Sequence, residues 1–219
     1  MEELLKQLAV CIERGKAEKN SPYPPDMKEQ DGASEIAKQL LDGGVPANDI
    51  LKKALMIGMN KIGQKFGEGK AFIPELLIAA KAMNAAMVHL KPYFESGEAQ
   101  HRGKFIIGTV AGDLHDIGKN IVRMVLEGDG WNVIDLGVDV TKEKFLDALK
   151  ENPDANVGMS ALLTTTMVNM EASVKAIKDS YPAAKVFVGG APLSQEFNDK
   201  IGADGYFPDP HSFAKSLTA

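Results

Sequence analysis

The chain predicts a helical half followed by an α/β half: a four-helix bundle, then a Rossmann-like, flavodoxin-type, doubly wound parallel sheet of about five strands. Three observations carry this. Up to residue 95 or so, apolar residues recur only at helical spacing. A polar stretch from Glu95 to Gly103 then breaks the pattern. Beyond it, short apolar runs alternate with helical segments, as in parallel sheets covered on both faces. The expected division is therefore a bundle over 1–95, a linker over 96–103 and an α/β domain over 104–219.

In the first half, Glu2 to Arg14 carries Leu4, Leu5, Leu8, Ala9 and Ile12 as one stripe. Gly15 to Gln30 holds Pro22, Pro24 and Pro25 among charged residues and reads as a loop. Asp31 to Leu41 resumes the helical period and stops at Gly43-Gly44, a C-cap signal. Pro46 is expected to start a long helix, with Ile50, Leu51, Ala54, Leu55, Ile57, Met59 and Ile62 inward and Lys52, Lys53 and Lys61 outward. Phe66-Gly67-Glu68-Gly69 ends it. Pro74 then opens a fourth helix, rich in Ala and Met, that runs through Leu90 and is closed by Pro92.

In the second half, strands are expected at Phe105–Val110, Asn132–Leu136, Val157–Ser160, Lys185–Val188 and Ala203–Phe207. Helices are expected at Ile117–Leu126, Lys142–Leu149, Thr166–Ser180 and Gln195–Ile201, with a last one near His211–Leu217.

Composition narrows the function classes. Hydrophobic residues make up 44% of the chain, enough to bury real cores. A formal net charge of −5 argues against a general nucleic-acid binder, which needs a basic face. Cys11 is the single cysteine, so the chain can form neither an internal disulfide nor a thiolate metal cluster. Met1-Glu2-Glu3-Leu4-Leu5-Lys6 lacks the features of a signal peptide, and no apolar run approaches the ~20 residues that span a bilayer. The expected setting is a reducing, cytoplasmic one with no membrane or nucleic-acid partner.

The densest chemistry is Gly112-Asp113-Leu114-His115-Asp116-Ile117-Gly118-Lys119-Asn120, directly after the first strand. A histidine there sits at the carboxyl end of a strand, where open α/β sheets bind ligands. Alone it would more often be a turn residue or a helix cap. Asp113 can fix one ring nitrogen and leave the other free as a ligand, and Gly112 and Gly118 clear side chains from the backbone. A lone histidine holds a free metal ion poorly. It suits a metal whose other positions are filled by a macrocycle, as in haem.

Two further clusters fall at other strand ends. Gly158 to Thr166 places Ser160, Thr164 and Thr166 hydroxyls near the same mouth, with Leu162 as an apolar contact. A helix N-cap by Thr164 or Thr165 would explain one hydroxyl, not three. Val188-Gly189-Gly190-Ala191-Pro192 gives a wall without side chains, and Gly205-Tyr206 ends the fifth strand similarly. Each glycine pair taken singly is also a plain turn signal. Lys119 is the sole phosphate candidate, and no Walker pattern accompanies it.

Asp113-x-His115-x-x-Gly118, Ser160-x-Leu162 and Gly189-Gly190 together resemble the cobalamin-binding domain of cobalamin-dependent methionine synthase and the corrinoid proteins of one-carbon metabolism. Gly112 to Val122, Val133 to Val138 and Gly189 to Ala191 resemble that family as well, and Phe66 to Met83 resembles its helical cap, so the likeness spans nearly the whole chain. The resemblance implies a corrinoid bound base-off and His-on, as methylcobalamin, cob(I)alamin or a related corrinoid. His115 would be the axial cobalt ligand, Asp113 its hydrogen-bond partner, and Thr166 the hydroxyl continuing that relay, where the family has serine. The displaced nucleotide tail would pass Ser160, Leu162, Gly189 and Gly190. Leu114, Asp116, Ile117, Thr164, Gly205 and Tyr206 would join the cofactor site, and Phe72, Leu76 and Met83 would cover the upper face.

By the same resemblance the chain would carry a methyl group between two enzymes without turning over alone. One is a substrate:corrinoid methyltransferase; the other is a methylcorrinoid methyltransferase using tetrahydrofolate or coenzyme M, with a reductive activase as third partner. Two alternatives stay open. A cobalamin-dependent regulator or light sensor would add a DNA-binding domain, and here the first helix starts almost at Met1. A small subunit of an adenosylcobalamin mutase shares Asp-x-His-x-x-Gly, but the helical half speaks against it.

Overall fold

The computed structural model describes residues 1–207 together with Phe213 and Ser216. The chain forms two compact units, Met1–Arg102 with Glu127–Gly130, and Gly103–Leu126 with Trp131–Ala219.

The first unit holds α1 (Glu2–Arg14), α2 (Ala33–Asp42), α3 (Ala47–Ile50), α4 (Met56–Gly67) and α5 (Ile73–Glu95). A π-helical turn, Leu51–Leu55, joins α3 to α4, so the expected long helix is one rod with a widened turn. Pro46 stands just before it, with extended backbone, rather than inside it. The apolar stripes meet as expected: α2 packs on α5 and α1 on α4, burying Leu8, Ile12, Leu40, Ile50, Leu55 and Leu90 completely. Ile57 departs from the predicted inward stripe and is 42% exposed, because the π turn shifts the facing of the residues that follow it.

Pro92 does not close α5. It lies inside the helix, which runs on to Glu95, and Ser96 N–H still bonds the Pro92 carbonyl at 2.9 Å. A proline removes only its own bond to the fourth residue back, and that residue, Val88, is 68% exposed. By length and composition alone Ile73–Glu95 is long and apolar enough to cross a membrane, a test that core helices also pass. It carries Glu75, Lys81 and Lys91, and it buries Leu76, Ala79, Ala80, Ala82, Met83, Ala86 and Leu90 in the bundle. The proline-rich loop is pinned by a feature the sequence does not advertise. Lys16 is fully buried, and its ammonium donates to the Lys19 and Ser21 carbonyls, both at 3.0 Å.

The second unit is a five-stranded parallel sheet in the order β2-β1-β3-β4-β5. Its strands are β1 (Lys104–Thr109), β2 (Asn132–Asp135), β3 (Asn156–Ser160), β4 (Val186–Gly189) and β5 (Gly205–Tyr206). The crossovers are α6 (Ile117–Gly128), α7 (Lys142–Glu151), α8 (Met167–Ser180) and α9 (Gln195–Ile201). β5 is shorter than its apolar run. The helix expected near His211–Leu217 lies outside the described residues except for Phe213 and Ser216.

The two-residue period assigns the faces. Ile106, Val157, Met159, Val186 and Val188 enter one core with Phe145, Val174 and Ile177 from α7 and α8. Phe105, Ile107 and Phe187 enter the other with Val122 and Leu126 of α6. The chain leaves β1 towards β2 on one side, and β3 pairs with β1 on the other. The carboxyl ends of β1 and β3 are therefore a topological switch point, where a crevice opens.

Gly190 shows how closely that crevice is built. Its φ is +139°, and a Cβ there would lie 1.8 Å from the Ala161 carbonyl oxygen. Gly190→Ala is therefore expected to destabilise the protein by about 3 kcal/mol, through backbone strain plus overpacking. A fall in the urea midpoint at unchanged slope is the measurement.

Candidate functional site

The turn after β1 holds Asp113 completely buried and leaves the His115 side chain 52% exposed. His115 Nδ1 lies 2.8 Å from Asp113 Oδ1, and the His115 backbone N–H donates to the same oxygen at 3.1 Å. Asp113 Oδ2 accepts from the backbone N–H groups of Leu162 (2.7 Å) and Leu163 (3.1 Å) and lies 2.9 Å from the Thr166 hydroxyl. Burial by itself would raise the Asp113 carboxyl; the N–H groups of Leu162, His115 and Leu163 and the imidazole outweigh it and hold the group well below the usual carboxylate range. An ionised Asp113 accepts only, so Nδ1 carries a ring proton, and in the neutral ring Nε2 is the electron-pair donor.

The loop's path is fixed by several bonds. Gly112 takes φ +81°, and its N–H donates to Asp139 Oδ1 at 2.7 Å. A Cβ on Gly112 would meet only ordinary contacts, so glycine is required there by the backbone conformation. The buried Thr109 hydroxyl donates to the His115 carbonyl at 2.9 Å, and Asn169 Nδ2 to the Ala111 carbonyl at 2.8 Å. The histidine thus rises from a rigid base.

Beside it lies a cavity of about 680 Å³, between the sheet face of Ile107, Gly158 and Phe187 and helix α6. The strand register orders its walls: Ser160 and Gly189 pair at the strand ends, and Ile107, Gly158 and Phe187 lie one face-step deeper. A Cβ at Gly158 would come within 2.6 Å of the Phe105 ring, which packs beneath it. A Cβ at Gly118, on the α6 side, would meet nothing within 4 Å. The volume is within the range of pockets that hold small molecules and cofactors.

Of the residues singled out from sequence, the structure gathers Leu114, His115, Asp116, Ile117, Gly118, Ser160, Leu162, Gly189, Gly190 and Tyr206 around this cavity. Asp113 and Thr166 lie buried behind His115. Thr164 is exposed and does not line the cavity. Gly205 also stays off the lining, with Phe207 Cε2 3.0 Å from the place of its Cβ. Leu114 (71%), Ile117 (68%) and Leu162 (43%) form an exposed apolar rim.

The threonine run acts differently from a helix cap. Thr164–Thr166 is a 3₁₀ turn before α8, and no side-chain cap bond is made there. The Thr166 hydroxyl lies within bonding distance of both Asp113 Oδ2 and the Leu163 carbonyl (2.8 Å). Lys119 is buried and held by Asp135 at 2.6 Å on both oxygens, so its charge is already matched. In the bundle, Phe72 is 65% exposed, whereas Leu76 and Met83 are at 0% and 2%.

Sequence reading takes Gly158 only as the start of the hydroxyl cluster and does not place Ile107, Val122, Phe187, Phe207 or Phe213 in the cavity wall. The available signal was a glycine inside an apolar strand, which marks a close approach. It also missed Asp139 and the Leu162 and Leu163 amides, whose role depends on loops meeting in space. Among the described residues no cluster of three or more His, Cys, Asp or Glu could hold a free metal ion.

Comparison with known proteins identifies the family. The B12 binding domain profile matches residues 103–212, and a second B12 binding domain profile matches residues 29–91. The trimethylamine corrinoid protein 2 of Methanosarcina mazei is 41% identical over 178 residues, 80% of this chain and 82% of that protein. A crystal structure of a cobalamin-binding protein from Desulfitobacterium hafniense superposes with a TM-score of 0.73 at 31% identity, covering 98% of this chain and 97% of the other. A chain of the methanol:cobalamin methyltransferase complex of Methanosarcina barkeri gives a TM-score of 0.82 at 28% identity, over 99% and 78%.

Proposed function

The chain belongs to the B12 binding domain family and its cofactor is cobalamin; from that premise we propose that it carries a methyl group on a corrinoid held base-off and His-on by His115. The observation that carries the proposal is the His115 ring itself: fixed at Nδ1 by a buried carboxylate, half-exposed, and set at the mouth of a cofactor-sized cavity. The residues present fit the group. One nitrogen donor suits a cobalt whose equatorial positions a macrocycle fills, and the absent side chain at Gly118 leaves room beside α6. When bound, the corrinoid supplies a cobalt centre that accepts and releases a methyl group.

The protein's part is binding, tuning and shielding. His115 Nε2 would be the protein's donor to the cobalt, and Asp113, by accepting from Nδ1, would fix its tautomer. The Leu162, His115 and Leu163 amides and the imidazole hold Asp113 ionised, and the Thr166 hydroxyl lies against the same carboxylate. Leu114, Ile117 and Leu162 offer an apolar rim to the corrin, and the cavity past Ser160, Gly189 and Gly190 receives the displaced nucleotide tail. Of the three cap residues expected from sequence, Phe72 keeps the exposed surface that contact with a cofactor needs, whereas Leu76 and Met83 are core residues of the bundle, and their burial takes them out of that role.

The partners follow from the same reading: a substrate:corrinoid methyltransferase, a second methyltransferase using tetrahydrofolate or coenzyme M, and a reductive activase, in a cytoplasmic setting. The likeness to trimethylamine corrinoid protein 2 supports a methylamine as methyl source. The test is isotopic. Reconstituted with cob(II)alamin, the protein should show nitrogen splitting in its electron paramagnetic resonance spectrum, and the pattern should change when its histidines carry ¹⁵N. A pattern indifferent to the protein's isotope would mean that the cofactor keeps its own base, and the His-on reading would fall.

A further inference from the structure

Resting on the reading of the cavity as the site of the nucleotide tail, we infer that its inner end selects the corrinoid's lower base: benzimidazole and phenol types are accepted and purines are rejected. The polar lining lies at the mouth. Ser160 pairs with Thr109 and Gly189 at the strand ends, in the same layer as the His115 turn. One face-step deeper the register brings Ile107, Gly158 and Phe187 side by side, and Val122, Phe207 and Phe213 close the space around them. Among the described residues this inner layer presents no hydrogen-bonding side chain.

The nearby polar groups are committed elsewhere. Lys119 is held by Asp135 and Asn120. Tyr206 also lines the cavity; it pairs in register with Val188, on the opposite sheet face, and packs against that face's core. What remains is aromatic. Phe187 lies 5.2 Å from Phe213 and 6.3 Å from Phe105, ring centroid to centroid, and Phe207 lies 5.1 Å from Phe213. Such a wall favours a flat apolar ring by stacking and edge contacts.

A benzimidazole brings one unglycosylated ring nitrogen into this space, and a phenol-type base brings none. An adenine adds two further ring nitrogens and an exocyclic amine. Each polar group buried without a partner weakens binding by on the order of tenfold. Discrimination by unpaired polar groups exceeds what a small change in apolar area gives.

The full-length apoprotein is titrated, by absorbance and by quenching of its own fluorescence, with four cobamides: cobalamin, a p-cresolyl form, an adeninyl form and cobinamide, which lacks the base. In the cob(I) state, where none of the forms has a cobalt–base bond to break, cobalamin and the p-cresolyl form should bind within about threefold of each other and the adeninyl form at least about tenfold more weakly. Val122→Thr, nearly isosteric but with a hydroxyl, should narrow the adeninyl-to-benzimidazolyl ratio and leave cobinamide unchanged. Equal binding of the adeninyl form, or cobinamide binding as tightly as cobalamin, overturns the inference while a His-on spectrum still supports the methyl-carrier reading. Failure of cobalamin itself to bind would overturn both.

Discussion

His115→Ala should lose the protein-derived nitrogen splitting of the reconstituted cofactor and bind cobalamin at least about 100-fold more weakly, since losing an axial ligand costs more than losing one of its outer partners. Folding should change little. The His115 side chain is half-exposed, and among the described residues its one side-chain bond is to Asp113. Asp113 keeps the backbone N–H of residue 115 and its three contacts with Leu162, Leu163 and Thr166. A melting temperature within about 2 °C of the parent is expected. Added imidazole, which fits the space left by the ring, should restore part of the splitting. A mutant whose spectrum and affinity match the parent would end the axial-ligand assignment.

Asp113→Ala should have the largest effect on stability, a loss of about 3–5 kcal/mol, because it orphans a buried constellation of donors. The Leu162 and Leu163 amides, the His115 amide and ring, and the Thr166 hydroxyl all converge on this carboxylate within 3.1 Å. Asp113→Asn should cost less, because it keeps one acceptor oxygen. It also turns a donor towards donors, so cobalamin binding should weaken about 10- to 100-fold.

The pH dependence has a defined sign. The folded-state pKa of Asp113 is depressed below its unfolded value of about 3.9. Its stabilisation is therefore fully present above that value, and it is lost as pH falls below about 4 towards the folded pKa. Urea titrations from pH 7 down to about 3 should show the parent losing stability in that acid window. The Asn variant should lack this part of the slope. Parallel acid limbs in the two proteins would contradict the assignment.

Much of the fold could be read from the sequence because it is written in local period. The apolar stripes of α1, α2 and α5 and the alternation of short runs with helices after Gly103 each follow from spacing alone. The observed order β2-β1-β3-β4-β5 is that of the flavodoxin-type class expected from sequence, which does not itself order the strands. Local rules misled where a single residue was given too much weight. Pro92 reads as a stop, yet one missing N–H did not end a helix whose neighbouring turns pack well. Ile57 reads as inward, and the π turn moved it out.

The site divides the same way. Asp113 and His115 are two residues apart, so their pairing is local and the sequence could propose it. Thr166 lies 53 positions from Asp113. Linking those two needed the family likeness, because spacing says nothing about which hydroxyl of three meets the carboxylate. The Leu162 and Leu163 amides carry no side-chain signal at all, yet they hold Asp113 ionised.

By itself, then, the sequence determined the two-part architecture, the order of elements and the strand-end histidine with its carboxylate, because periodicity and short-range geometry are properties of neighbours along the chain. Only the tertiary structure decided that Asp113 is buried under five donors, that Thr164 stays outside while Thr166 turns in, and that an aromatic-floored cavity opens beside α6. Those features arise where residues from β1, β3, β4 and α6 meet. Burial and hydrogen-bond saturation belong to the space between such segments, and no single segment encodes them.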